Sequence, residues 1–267
     1  ILTFLYLHAN QLNANRVIMT MADAILLHET HDTFGPIRVL DYGDSRVLSF
    51  GDNDEQSKIL KTAPHIPQHT YVQGMMLVLL FCKPKSAIVL GLGGGALIHV
   101  LRRFDTAIKL TAVELRPTVI ELAKRYFQLP IGKKLNVIND DALVFMASAE
   151  HKKVDVIFAD IYSAKGVNTG QLSATFLEQC TQRIKPDGYL VLNCWKEHSQ
   201  NRELLADLQH HFAHVHACLT SGGNWVIFAS QIPQSLGASA LKSQAQSLSQ
   251  QLDFALERSL TRFGPWI

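Results

Sequence analysis

Short apolar runs alternate with helical spacing through the middle of the chain. "AIVLGL", "KLTAVEL", "LNVIND", "VDVIFAD" and "GYLVLNCW" read as strands buried on both faces. Between them, "GALIHVLRRF", "RPTVIELAKRYF", "DALVFMASAEH" and "SATFLEQCTQRI" repeat apolar residues every three or four positions, as amphipathic helices do. Strand and helix in alternation predict a parallel sheet covered by helices on both faces. Upstream, "IRVLDYGDSRVLSF" alternates about Tyr42-Gly43-Asp44, a hairpin signature. "KTAPHIPQH" is a proline-punctuated loop, and "TYVQGMMLVLLFC" reads as a buried helix stopped by Lys83-Pro84-Lys85, with Met75 and Met76 in the core. Downstream, "HFAHVHACLT" and "NWVIFAS" flank Ser221-Gly222-Gly223 and predict an antiparallel pair that closes the sheet. "SALKSQAQSLSQQLDFALERSL" is an amphipathic helix expected to pack on the domain. The expected division is a tail over 1–24, an N-terminal β-hairpin domain over 25–70, a nucleotide-binding catalytic domain over 71–232 and a C-terminal helix over 233–267.

Charge and cysteine usage narrow the function. The 267 residues carry a net charge of +2, with the basic residues spread along the chain, which argues against nucleic acid or an anionic membrane as partner. Cys82, Cys180, Cys194 and Cys218 lie far apart with no Cys-x-x-Cys pair, so free thiols in a reducing, cytoplasmic setting are expected. No apolar stretch approaches the roughly 18–20 residues that cross a bilayer. The opening "ILTFLYLHANQLNANRV" is apolar for seven residues only and carries neither a basic leader nor a small-residue cleavage site, so it is expected to be a poorly ordered tail.

The chemistry centres on Gly91-Leu92-Gly93-Gly94-Gly95-Ala96, between a strand and a helix. Glycines there permit positive φ and let a ligand approach the backbone. Glu114 ends the next strand, 23 positions beyond Gly91, where a carboxylate accepts from the hydroxyls of a ribose. These features alone suit a nicotinamide cofactor or an adenosyl sulfonium equally, and a tight turn with no ligand is the bland alternative. Two later features favour the sulfonium. The third strand ends in Asn139-Asp140-Asp141-Ala142, with a carboxylate where an adenine amino group would lie. The antiparallel C-terminal pair also suits a Rossmann-like class I methyltransferase-type doubly wound α/β sheet, preceded here by the small hairpin domain.

With these residues in order, the chain resembles the spermidine synthase family from about Ile25 to Ser230. The likeness rests on Gln56-Ser57 after the hairpin, Tyr71 opening the helix, "VLGLGGGAL", "AVELRPTVIELAKRYF", "NDDALVF", "DVIFADIYSAKG" and "LSATFLEQCTQRIKPDGYLVLN". It implies aminopropyl transfer from decarboxylated S-adenosylmethionine to a small-molecule amine, with no metal. Gln56 would touch the nucleoside or its tail, Gly91, Gly93 and Gly95 would pass beside the ligand, and Glu114 would bind the ribose. Asp141 would accept from the adenine, with Asp140 and Ala142 beside it. Asp160 would be the catalytic acid group, and Tyr71 would hold the acceptor. Tyr162, Ser163 and Asn193 would line the acceptor pocket.

The acceptor side departs from that family. Its Asp-x-x-Asp-Pro reads Asp160-Ile161-Tyr162-Ser163-Ala164, followed by Lys165. Its Asp-Glu before the tyrosine reads Gln68-His69, Gln73 replaces a Glu, and Gly94 stands where an Asp is common. A dicationic acceptor such as putrescine therefore fits poorly. The competing readings are a small-molecule methyltransferase using S-adenosylmethionine itself and a non-catalytic nucleoside-binding protein. Trp195, Lys196 and Glu197 follow the fifth strand, where packing and solvation compete with a place in the pocket. His99 is expected on a helix surface. His210, His211, His214 and His216 straddle a helix end and a strand, so no shared metal face is expected. The hairpin and the C-terminal helix both offer surface for a homodimer.

Overall fold

The structure is a computed structural model that describes residues 24–51, 54–148, 152–163 and 166–267, with Ser163 known by its backbone alone. The expected tail therefore lies outside the described residues, as do Ala164 and Lys165.

Four strands, β1 (Ile25–Asp32), β2 (Gly35–Asp41), β3 (Ser45–Ser49) and β4 (Ser57–Leu60), form an antiparallel sheet in sequential order. The expected hairpin is β2–β3, turning at Gly43 with φ +83°. Next, α1 (Thr70–Met75) continues as a 3-10 turn over Met76–Leu80, so the expected single helix is two pieces. Met75 and Met76 are fully buried.

The larger sheet is built around β5 (Ser86–Leu90), β6 (Lys109–Glu114), β7 (Leu135–Asn139), β8 (Val154–Ala159) and β11 (Ile184–Trp195), all parallel. Crossing between them are α2 (Ala96–Phe104), α3 (Pro117–Tyr126), α4 (Ala142–Ala147) and α5 (Ala174–Arg183). Proline at the first position of α3 and the Asp141 and Ser173 caps of α4 and α5 start these helices where the orphan N–H groups need partners. A two-residue ladder, β9 (Tyr162–Ser163) with β10 (Gly166–Val167), leaves the end of β8. After α6 (Arg202–His211), β12 (His214–Leu219) and β13 (Asn224–Ser230) run antiparallel, β13 against β11. The full order is β14-β12-β13-β11-β8-β5-β6-β7, where β14 (Phe263–Pro265) is an edge strand absent from the pattern reading. It follows α7 (Ala238–Leu252), which buries Leu241, Ala245, Leu248 and Leu252 as its spacing predicts, and α8 (Glu257–Leu260).

The two sheets meet over α3. Ile37, Val39, Leu48 and Ile59 share a core with Val119, Leu122 and Phe127. Polar links accompany it: Arg116 forks onto Asp32 through Nε and Nη2, both at 2.8 Å, and stacks 4.4 Å from the centre of the Phe50 ring. Burial works against the Asp32 charge, but the Arg116 hydrogen bonds outweigh it and hold the carboxyl below its usual range.

His99 corrects the sequence expectation. It is buried, and its Nε2 donates to the Phe127 carbonyl at 2.8 Å, pinning α2 to the end of α3. Burial lowers its pKa, so the ring is neutral. The four remaining histidines of interest divide as read, two at the end of α6 and two on β12. Among the described residues no helix is long and apolar enough to cross a membrane.

Candidate active site

Ligands of open α/β sheets lie beyond the carboxyl ends of the strands, and a cavity of about 790 Å³ opens there. The N-terminal sheet roofs it with Phe34, Phe50, Asp54 and Gln56.

One half is organised by backbone. Gly91 (φ +89°) sits so close to the end of β8 that a Cβ would overlap the Asp160 carbonyl oxygen. Glycine is thus required there for strand packing as well as for access. Glu114 Oε2 accepts from the N–H groups of Leu92 (3.0 Å) and Gly93 (3.4 Å), and Oε1 from that of Arg116 (3.0 Å). The carboxylate therefore holds the turn open along the cavity wall. Asp141 Oδ1 accepts from Leu143 N (2.7 Å) and Val144 N (3.1 Å) as the cap of α4. Gln56 Nε2 donates to Asp54 Oδ2 at 2.9 Å.

The other half is made of side chains bonded to one another. Tyr71, at the start of α1, donates its hydroxyl to Asp160 Oδ2 at 3.1 Å. Asn193 of β11 donates Nδ2 to Asp160 Oδ1 at 2.8 Å, and Asn224 of β13 donates to Asn193 Oδ1 at 3.1 Å. Burial pushes the Asp160 pKa up to about 6, although both donors favour its charge. Burial, and then the Asp160 charge, push the Tyr71 phenol well above its ordinary value. His69 stacks on Tyr71 with centroids 5.6 Å apart, and burial lowers its pKa. The Trp195 ring covers Gly166, where a Cβ would run into the indole, and lies 6.3 Å from the Tyr162 ring.

Of the residues read from the sequence, Gln56, Tyr71, Gly91, Gly93, Glu114, Asp141, Ala142, Asp160, Tyr162 and Asn193 line this cavity. Gly95 does not: it is the left-handed N-cap of α2, and a Cβ there would meet Leu129 at 2.7 Å. Asp140 is also off the wall, its Oδ1 accepting from Asp141 N at 2.8 Å. Trp195 lines the cavity, whereas Lys196 and Glu197 do not. Arg116, Phe50, Asn168 and Asn224 line it without having been read as site residues. Among the described residues no cluster of three or more His, Cys, Asp or Glu side chains is placed to hold a metal ion.

A doubly wound sheet with an antiparallel strand beside β11, a glycine turn after β5 and an acid ending β6 define the Rossmann-like methyltransferase fold. Solved structures share it. A probable spermidine synthase from Corynebacterium glutamicum superposes with TM-score 0.71 at 18% identity, over 84% of this chain and 86% of its own. Human methyltransferase-like protein 13, solved in complex with SAH, gives 0.63 at 22% identity, over 69% and 93%. In sequence, the polyamine aminopropyltransferase of Neisseria meningitidis serogroup A is 26% identical over 233 residues, 85% of this chain and 88% of that protein. Residues 63–231 match the family model of the spermine/spermidine synthase domain. The chain belongs to the spermine/spermidine synthase family.

Proposed function

We propose that the protein transfers an aminopropyl group from decarboxylated S-adenosylmethionine to a small-molecule amine other than a well-matched putrescine. The observation that carries this reading is the half-buried Asp160 carboxylate, held between Tyr71 and Asn193 at the open end of the glycine turn. An ammonium has no lone pair, so the acceptor must lose a proton before it attacks. A carboxylate with a pKa of about 6 is ionised at neutral pH yet is a stronger base than an ordinary aspartate. Tyr71 and Asn193 fix both its oxygens, so the proton has a defined destination. The amine nitrogen then bonds to the carbon beside the sulfonium while the C–S electron pair returns to sulfur. The leaving group is a neutral thioether. Holding both reactants in line supplies much of the remaining acceleration.

In this reading the backbone-organised half binds the nucleoside. Glu114 takes the ribose hydroxyls, Asp141 and Ala142 the adenine, and Gln56 with Gly91 and Gly93 the sulfonium tail. Support comes from the family membership and from the SAH-bound human neighbour of the same fold. That neighbour also supports a second reading, methyl transfer from S-adenosylmethionine. Against it stands Arg116. An intact donor carboxylate needs a cation, and this cavity-lining arginine is forked onto Asp32.

A thermal-shift titration with decarboxylated S-adenosylmethionine, S-adenosylmethionine, methylthioadenosine and NAD tests the donor. Ligand at a hundred times its Kd adds about 2.7 kcal/mol. Preference for the decarboxylated donor and methylthioadenosine is expected. Preference for S-adenosylmethionine moves the assignment to methyl transfer, and a response to NAD alone, or to none of the four, overturns the donor class.

A further inference from the structure

The carboxylates lining the cavity can be accounted for one at a time. Glu114 and Asp141 hold the glycine turn and the α4 cap. Asp54 Oδ1 accepts from Ser49 Oγ (2.7 Å), Phe50 N (2.9 Å) and Gly51 N (2.8 Å), and its Oδ2 from Gln56. Glu55 pairs with Lys58 at 3.3 Å and lies 3.9 Å from His69 Nε2. Asp160 remains for a cation at the acceptor end.

The donor of the proposed reaction brings an ammonium on its aminopropyl tail, and the attacking amine must be neutral when it reacts. A diamine would add one more ammonium at its far end. The cavity wall around the Asp160–Asn193 end includes Tyr162, Asn168, Trp195 and Asn224, all uncharged. A second ammonium would be desolvated there without a counter-charge.

The same wall instead offers hydrogen bonding without charge. Tyr162 Oη is buried and makes no full hydrogen bond among the described residues; its polar neighbour is Asn224, whose amide is given to Asn193. Leaving such an atom unpaired costs free energy that a ligand hydroxyl recovers. The Trp195 indole packed over Gly166 supplies an apolar face for a short carbon chain.

Resting on the aminopropyl-transfer reading, we propose that the acceptor is a monoamine with a neutral, hydrogen-bonding far end, an amino alcohol, its hydroxyl meeting Tyr162 Oη and its carbon chain lying against Trp195. The amine nitrogen gains the aminopropyl carbon, Asp160 receives the displaced proton, and sulfur leaves with the C–S pair as methylthioadenosine. The product is an N-aminopropyl amino alcohol.

Three acceptors with the same four-carbon chain isolate the far end: 4-aminobutan-1-ol, n-butylamine and putrescine, each with decarboxylated S-adenosylmethionine and the full chain. We expect kcat/KM to fall in that order, the first exceeding the last by about tenfold or more. Tyr162→Phe should lower kcat/KM for the amino alcohol by more than for n-butylamine, closing the gap between the two. A merely structural role would lower both together, and that result overturns the assignment. Putrescine as the fastest acceptor overturns the acceptor class and leaves aminopropyl transfer standing. No methylthioadenosine from any of the three, putrescine included, overturns both.

Discussion

The two halves of the cavity hold their polar groups in opposite ways. On the glycine-turn side, Glu114 and Asp141 are anchored by backbone N–H groups from Leu92, Gly93, Arg116, Leu143 and Val144. On the other side, Tyr71, Asp160, Asn193 and Asn224 hold one another, and His69 Nε2 and Tyr162 Oη are buried without a full hydrogen bond among the described residues. A backbone-anchored wall tolerates side-chain change around it and keeps its ligand. A wall built from mutually bonded side chains can be retuned by single substitutions. Of the departures from the family pattern, Gln68 and His69 stand just before Tyr71 of that second wall in sequence, whereas Gly94 lies in the glycine turn of the first.

Removing the acid at the centre of the second wall tests this contrast most severely. Asp160→Asn should lower kcat by about a hundredfold to ten-thousandfold, the usual worth of a positioned general base. Donor affinity, measured by calorimetry with methylthioadenosine, should stay within about threefold, since the nucleoside wall is untouched. An equal loss of donor affinity would merge the two halves into one unit.

Gly91→Ala attacks the point where the halves touch. A positive φ and overlap with the Asp160 carbonyl should cost about 3 kcal/mol or more, read as a shift in the urea midpoint. Glu114→Gln confines the damage to the first wall. An amide can accept on one side only, so its NH₂ must face the N–H of Arg116 or those of Leu92 and Gly93. Donor affinity should fall by about ten- to a hundredfold, with the acceptor KM little changed.

A further effect is one of pH. The folded pKa of Asp160, about 6, lies above its ordinary 3.8. Between those values the folded state holds a proton that the unfolded chain has released, so stability falls as pH rises through the window. Above it the cost is about 3 kcal/mol. Asp160→Asn should therefore raise Tm by several degrees at pH 7.5, with the gain vanishing towards pH 4. The wild-type rate should fall about tenfold per unit below pH 6 as the base takes up its proton.

The first wall was legible in sequence because its parts are local. The glycine turn, the acid ending β6 and the cap of α4 each occupy a few consecutive residues in a strand–turn–helix context. A left-handed helix cap and a ligand-facing glycine look alike in a string; at Gly95 the Leu129 side chain stands where a Cβ would go. His99 was misplaced because helical spacing shows a face but not what packs on it, here the end of α3. The second wall draws Tyr71, Asp160, Asn193 and Asn224 from four elements, and no local pattern marked Asn224 or Asn168. Arg116 escaped notice because its partner, Asp32, is 84 positions away in the other sheet. The edge strand β14 is too short to leave a periodicity.

Product analysis tests the central claim most directly. The protein is incubated with an amine and either decarboxylated S-adenosylmethionine or S-adenosylmethionine, and the products are identified by mass. Methylthioadenosine and an aminopropylated amine from the decarboxylated donor, lost in Asp160→Asn, is the predicted result. A methylated product from S-adenosylmethionine, with nothing formed from the decarboxylated donor, would contradict it.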